Sequence, residues 1–133
     1  MQLTGTLFAD SSALFGNDIS TFPDYPAEIR APQGTVSGVS GFQVHFGSCE
    51  INTPGDFCDI LVAMHPAALR ANAKWAKPTA TIILDENAFD EKNIQRAGFA
   101  TMNPIEELKI EDSNIVVSPI TELTKESLKD SGL

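Results

Sequence analysis

Positive charge is scarce in this sequence. Nine lysines and arginines stand against eighteen aspartates and glutamates in 133 residues, a formal net charge of −9. A nucleic-acid binder must meet phosphates with lysine and arginine, and the basic residues here form no stripe, so that class is set aside. The acidity reads as solubility and partner selection. Cysteine is nearly absent as well. Cys49 and Cys58 have no pair of histidines nearby, and a zinc site needs about four ligands at tighter spacings. Met1 leads into a mildly apolar helix with no basic flank and no cleavage pattern, so nothing points to secretion or a disulfide. No apolar run approaches the ~18 residues of a membrane span. These absences describe a soluble, cytoplasmic protein with neither a membrane nor a nucleic-acid partner. Dinucleotide, Walker, nucleophile-elbow and H-E-x-x-H motifs are missing too. Gly34, Gly38 and Gly41 imitate a glycine motif, but they are wrongly spaced and lead into a strand, where they serve twist and close packing.

What is present suits one folded domain. Apolar residues make up 42% of the chain, enough to exclude wholesale disorder. Residues 1–15 read as a helix with Leu3, Leu7, Phe8, Leu14 and Phe15 gathered on one face and the small residues Ala9, Ser12 and Ala13 beside them. Gly16 and Asn17 supply its stop. Residues 18–22 form a short strand. Residues 23–34 carry three prolines and cannot be helical. A glycine-punctuated strand follows to Gly47, with Phe42, Val44 and Phe46 on one face and Gln43 and His45 on the other. Residues 48–53 look like the return strand of a hairpin over 39–52, closed by the Pro54-Gly55 turn.

From Asp59 onward strands and helices alternate. Residues 59–64 form a nearly continuous apolar run, which fits a central strand buried on both faces. Pro66 suits the first turn of the next helix, over 67–76 with Leu69, Ala73 and Ala76 inward. Pro78 closes that helix. A second buried strand spans 81–84, and a short acidic helix starts near Asp90. Residues 103–112 are either a helical turn or an edge element. A strand at 114–117 precedes an amphipathic helix over 119–129, in one piece or two, with Leu123 and Leu128 inward. This rhythm predicts an α/β fold: a Rossmann-like, mainly parallel sheet with an antiparallel hairpin and helices on both faces. Ligands approach the carboxyl ends of strands in such sheets, here marked by His65, Asp85 and Ser118.

The candidate functional residues follow from those placements. His65 ends a buried strand, where it either caps the following helix or reaches a ligand. Asp85 reads as a loop-capping carboxylate rather than a general base. His45 is a strand histidine facing solvent or a partner. Glu28 and Arg30 share one side of the stiff loop. They form either a local ion pair of little worth or an arginine aimed at an anion or a neighbouring chain, with the glutamate orienting it.

The loop around Phe22, Pro23, Asp24, Tyr25, Glu28 and Arg30, the Gly34-Thr35-Val36-Ser37 and Phe42-Gln43-Val44 stretches, Thr53-Pro54-Gly55-Asp56, and the Asp59-Ile60-Leu61-Val62-Ala63 strand together resemble the gamma domain of 2-oxoacid:ferredoxin oxidoreductases. Where the common form has two glycines after the loop arginine, this chain has Ala31-Pro32-Gln33-Gly34. That version looks like the two-subunit enzymes acting on 2-oxoglutarate or related 2-oxoacids. The family domain opens with a strand and a glycine-rich turn and continues further at its end, so residues 1–133 are expected to be a single, truncated gamma-type domain.

The resemblance implies oxidative decarboxylation of a 2-oxoacid to an acyl-CoA, with thiamine diphosphate and iron–sulfur clusters in partner subunits and none bound by this chain alone. Its partners would be the alpha and beta domains or subunits, and ferredoxin through the complex. Coenzyme A would contact Glu28, Arg30 and His65, with Arg30 facing the anion; His65 could equally make a subunit contact. The competing expectation is a stand-alone small-molecule-binding α/β domain using the surroundings of His65 and Asp85.

Overall fold

A computed structural model describes residues 2–24 and 39–129. It divides the chain into two compact units, Met1–Asp56 and Phe57–Leu133. The class is mixed α/β: a three-stranded parallel sheet, a two-stranded antiparallel sheet, and helices.

In the first unit, α1 (Gln2–Leu14) precedes β1 (Asp18–Asp24) and β2 (Gly41–Gly47). The helix ends at Gly16, whose φ of 82° is the left-handed conformation that glycine adopts without strain. Its N–H donates to the Ala13 carbonyl at 2.9 Å. β2 does not pair with residues 48–53, which form no strand. It pairs antiparallel with β1, from Asp18 opposite Gly47 to Asp24 opposite Gly41. The expected hairpin over 39–52 is therefore corrected. The nearer segment is instead tethered by single bonds: the Asp18 carboxylate accepts from the Ile51 N–H at 2.5 Å. Pro23 lies in β1, so the strand runs into the start of the proline-rich stretch.

The side of α1 that is buried is the one lined by small residues. Leu3, Leu7, Phe8, Leu14 and Phe15 are exposed, Leu14 at 89%, while Ala9 and Ser12 are buried. Gly5, Ala9 and Ser12 recur at helical spacing and make a smooth stripe. That stripe lets the helix approach the sheet very closely: a Cβ added at Gly5 would lie 2.3 Å from Phe42 Cδ1 and 2.9 Å from its Cβ. The large side chains are left on the other side of the helix. Phe8 meets Phe46 edge-on with ring centroids 5.3 Å apart.

The second unit is built on β3 (Cys58–Ala63), β4 (Ala76–Asp85) and β5 (Asn114–Ser118), parallel in the order β3-β4-β5. Leu61, Ile82 and Ile115 stand side by side in register, as do Val62, Ile83 and Val116. Between β3 and β4, α2 (Pro66–Asn72) and a 3-10 turn at Ala73–Trp75 make the crossover. Ala76 already belongs to β4 rather than to the helix, so Pro78 falls within a strand. It is tolerated because the ladder skips there: β4 advances from Ala76 to Thr81 while β3 advances only from Cys58 to Ile60.

The remaining helices are α3 (Glu91–Arg96), α4 (Pro104–Glu107) and α5 (Ile120–Lys129). Ala63, Leu69, Ala73, Ile82 and Leu84 form the core, with Phe89, Ile105, Leu108, Ile110 and Ile115 packed around it. The β3 run is not buried on both faces. Leu61 and Ala63 turn to the core, while Ile60 is 57% and Val62 39% exposed. Helix α5 is one continuous piece, and Leu123 and Leu128 are exposed rather than inward.

The close approach at Gly5 generates a measurable expectation. Gly5→Ala gains helix propensity of about 1 kcal/mol, but the added methyl must displace Phe42, and overpacking costs typically 1–3 kcal/mol. The substitution should lower the urea midpoint of the unit, and Phe42→Leu in the same chain should restore part of the loss. A Gly5→Ala variant as stable as the parent would show that α1 does not sit this close to β2.

Candidate functional site

Two of the sequence-predicted site residues, Glu28 and Arg30, lie outside the described residues. The third, His65, sits at the carboxyl end of β3, immediately before α2. Its extended backbone (φ −160°, ψ 146°) places the ring over the first turn, and Nδ1 accepts from the Ala67 N–H at 3.2 Å. An accepting Nδ1 fixes the neutral tautomer with the proton on Nε2. Pro66 follows at the first helical position, where a missing N–H costs nothing. His65 therefore caps α2 through Nδ1.

Asp85, at the carboxyl end of β4, is 1% exposed. Helix α5 begins directly after Pro119, which has no side-chain acceptor to offer its first turn. Asp85 supplies one from the neighbouring strand. Its carboxylate accepts from the Thr121 N–H at 3.1 Å and from the Thr121 hydroxyl. Asn87 Oδ1 accepts from the Glu122 N–H at 3.3 Å. Desolvation pushes the Asp85 carboxyl up, but the hydrogen bonds from Thr121, together with the backbone N–H groups of Asn87 and Ile120, outweigh it and hold the group below its ordinary value. A buried carboxylate kept ionised and fully engaged is a poor general base.

A second polar cluster lies around Arg70, at the end of α2. Its guanidinium donates to the Gly98 carbonyl, stands 3.5 Å from Glu107 and lies over the Phe99 ring at 5.1 Å. Glu107 in turn accepts from the Ala100 N–H at 2.8 Å and the Thr101 N–H at 3.0 Å. The Thr101 N–H is the largest influence lowering the Glu107 carboxyl from its ordinary value. Ala100, the Thr101 hydroxyl and Arg70 add to it against desolvation. This cluster ties α2, the 98–101 loop and α4 together. Nothing in the sequence marked it, because its members are brought together only by the fold.

The remaining polar candidates are also engaged in local structure. His45 Nδ1 lies 2.7 Å from the Thr53 carbonyl, and the Gln43 amide donates to the Pro54 carbonyl at 2.8 Å. The polar face of β2 therefore holds the 53–55 turn. Cys49 and Cys58 are free thiols, and burial pushes the Cys58 thiol up, away from the reactive thiolate. Among the described residues, no three histidine, cysteine or acidic side chains gather as a metal site, and no helix is long and apolar enough to cross a membrane.

Comparison with known proteins adds what geometry alone does not. The profile of a family described as "Pyruvate ferredoxin/flavodoxin oxidoreductase" matches residues 1–132. The chain is 45% identical over 124 residues to a protein of Mycobacterium tuberculosis (strain ATCC 25618 / H37Rv) named "2-oxoglutarate oxidoreductase subunit KorA". That match covers 93% of this chain and 19% of the mycobacterial protein, so the chain spans about a fifth of the relative's length.

The Asp85 cap carries its own prediction. Losing a buried partner that serves several donors costs roughly 1–3 kcal/mol, so Asp85→Ala should lower the melting temperature at neutral pH. The folded carboxyl lies below its ordinary value of 3.8. Its contribution is therefore complete above that value and is lost as pH falls through the lower, folded one. In an acid unfolding series, Asp85→Asn should remove part of the slope below pH 3.8. An unchanged slope would mean that the carboxylate is not what holds α5.

Proposed function

The chain belongs to the pyruvate ferredoxin/flavodoxin oxidoreductase family, and we propose that it serves there as a single gamma-type domain that supports the reaction without performing it. The reaction is oxidative decarboxylation of a 2-oxoacid, with 2-oxoglutarate as the substrate: carbon dioxide is released, the acyl group leaves as its coenzyme A thioester, and the electrons pass to ferredoxin. The carrying observation is the 45% identity to a 2-oxoglutarate oxidoreductase subunit across nearly the whole chain. Its partners are the alpha and beta domains or subunits of a cytoplasmic complex, with ferredoxin reached through that complex.

The division of labour follows from what these residues can hold. An iron–sulfur cluster takes four thiolates, and the sequence has two cysteines, so its donor set does not fit one. Thiamine diphosphate and the clusters supply the redox and decarboxylation chemistry from the partner subunits. The role left to this chain is assembly and part of the coenzyme A contact. Exposed apolar side chains support assembly: Leu3, Leu7 and Leu14 on α1, and Ile60, Val62 and Val116 on the parallel sheet, have the character of surfaces that are covered in a complex.

Arg30 is the anion-facing group and Glu28 its orienter. His65 already caps α2 through Nδ1, which leaves its Nε2–H for a coenzyme A or subunit contact. A stand-alone ligand-binding domain built around Asp85 is the weaker reading, since that carboxylate is engaged with Thr121.

Two measurements test this. In the assembled oxidoreductase, Arg30→Ala should raise KM for coenzyme A by roughly 10- to 100-fold, the worth of a charge-assisted hydrogen bond. Coenzyme A-independent decarboxylation should persist. An unchanged KM removes the coenzyme A role and leaves assembly standing. Separately, the chain expressed alone should not reduce ferredoxin with a 2-oxoacid, and should co-purify with the remaining subunits when expressed with them. Turnover by the isolated chain would overturn the supporting role itself.

A further inference from the structure

We draw no further inference here: the strongest candidate, the exposed isoleucine and valine face of the β3-β4-β5 sheet at Ile60, Val62 and Val116, belongs to the assembly surface already described, and nothing in the structure shows what covers it.

Discussion

The bond between Asp85 and the first turn of α5 is the constraint on which the second unit turns. Pro119 starts that helix without an acceptor, and the end of β4 delivers one across the sheet. One buried carboxylate thereby meets three needs. It satisfies orphan N–H groups, complements the positive end of the helix, and couples the carboxyl end of β4 to the element that follows β5. The cost of desolvating the charge is offset by several donors converging on it, which is the condition under which a buried carboxylate is tolerated. A position that a parallel sheet usually leaves to ligands is taken up by the fold itself. At the end of β3, His65 Nδ1 likewise caps the following helix.

The first unit obeys a different constraint, set by the absence of side chain rather than by a charge. Gly5, with no Cβ, lets α1 lie against Phe42. The leucines of the helix are therefore left exposed, and Phe8 meets Phe46 only edge-on. Close packing is favoured where two surfaces interdigitate without voids, and a glycine–alanine–serine stripe against an aromatic ring achieves that here.

Local chemistry was legible in the sequence, and long-range choices were not. Asp90 as the cap of α3, Pro66 as the first residue of α2, Gly16 as the stop of α1 and Gly55 in its turn could all be read from neighbours within a few residues. The α/β class followed from the strand–helix rhythm, and Asp85 was legible as a capping carboxylate of its loop but not as the cap of α5. Which face of α1 is buried was not legible, because a stripe of large apolar residues and a stripe of small ones compete on the helix. The partner of β2 was misread because Pro54-Gly55 advertises a turn, yet the hydrogen bonds offered there go to Gln43 and His45 side chains instead of a strand. Leu123 and Leu128 were expected inward because an amphipathic pattern shows which residues share a face, not whether anything within the chain covers it. The Arg70–Glu107 cluster left no mark at all, being made of residues distant in sequence. Glu28 and Arg30 were suggested by a stiff loop and by family resemblance, and the role proposed for them rests on those.

The strand ends of the second unit are stabilised by charged and polar caps, and the chain is proposed to support the reaction rather than to perform it. The most direct measurement is the turnover number of the assembled oxidoreductase carrying Asp85→Asn, taken at saturating 2-oxoacid and coenzyme A below the melting transition of the variant. The account predicts unchanged turnover in a less stable complex. A fall of roughly 10²- to 10⁴-fold, the worth of a general acid or base, in a complex that remains folded would contradict it.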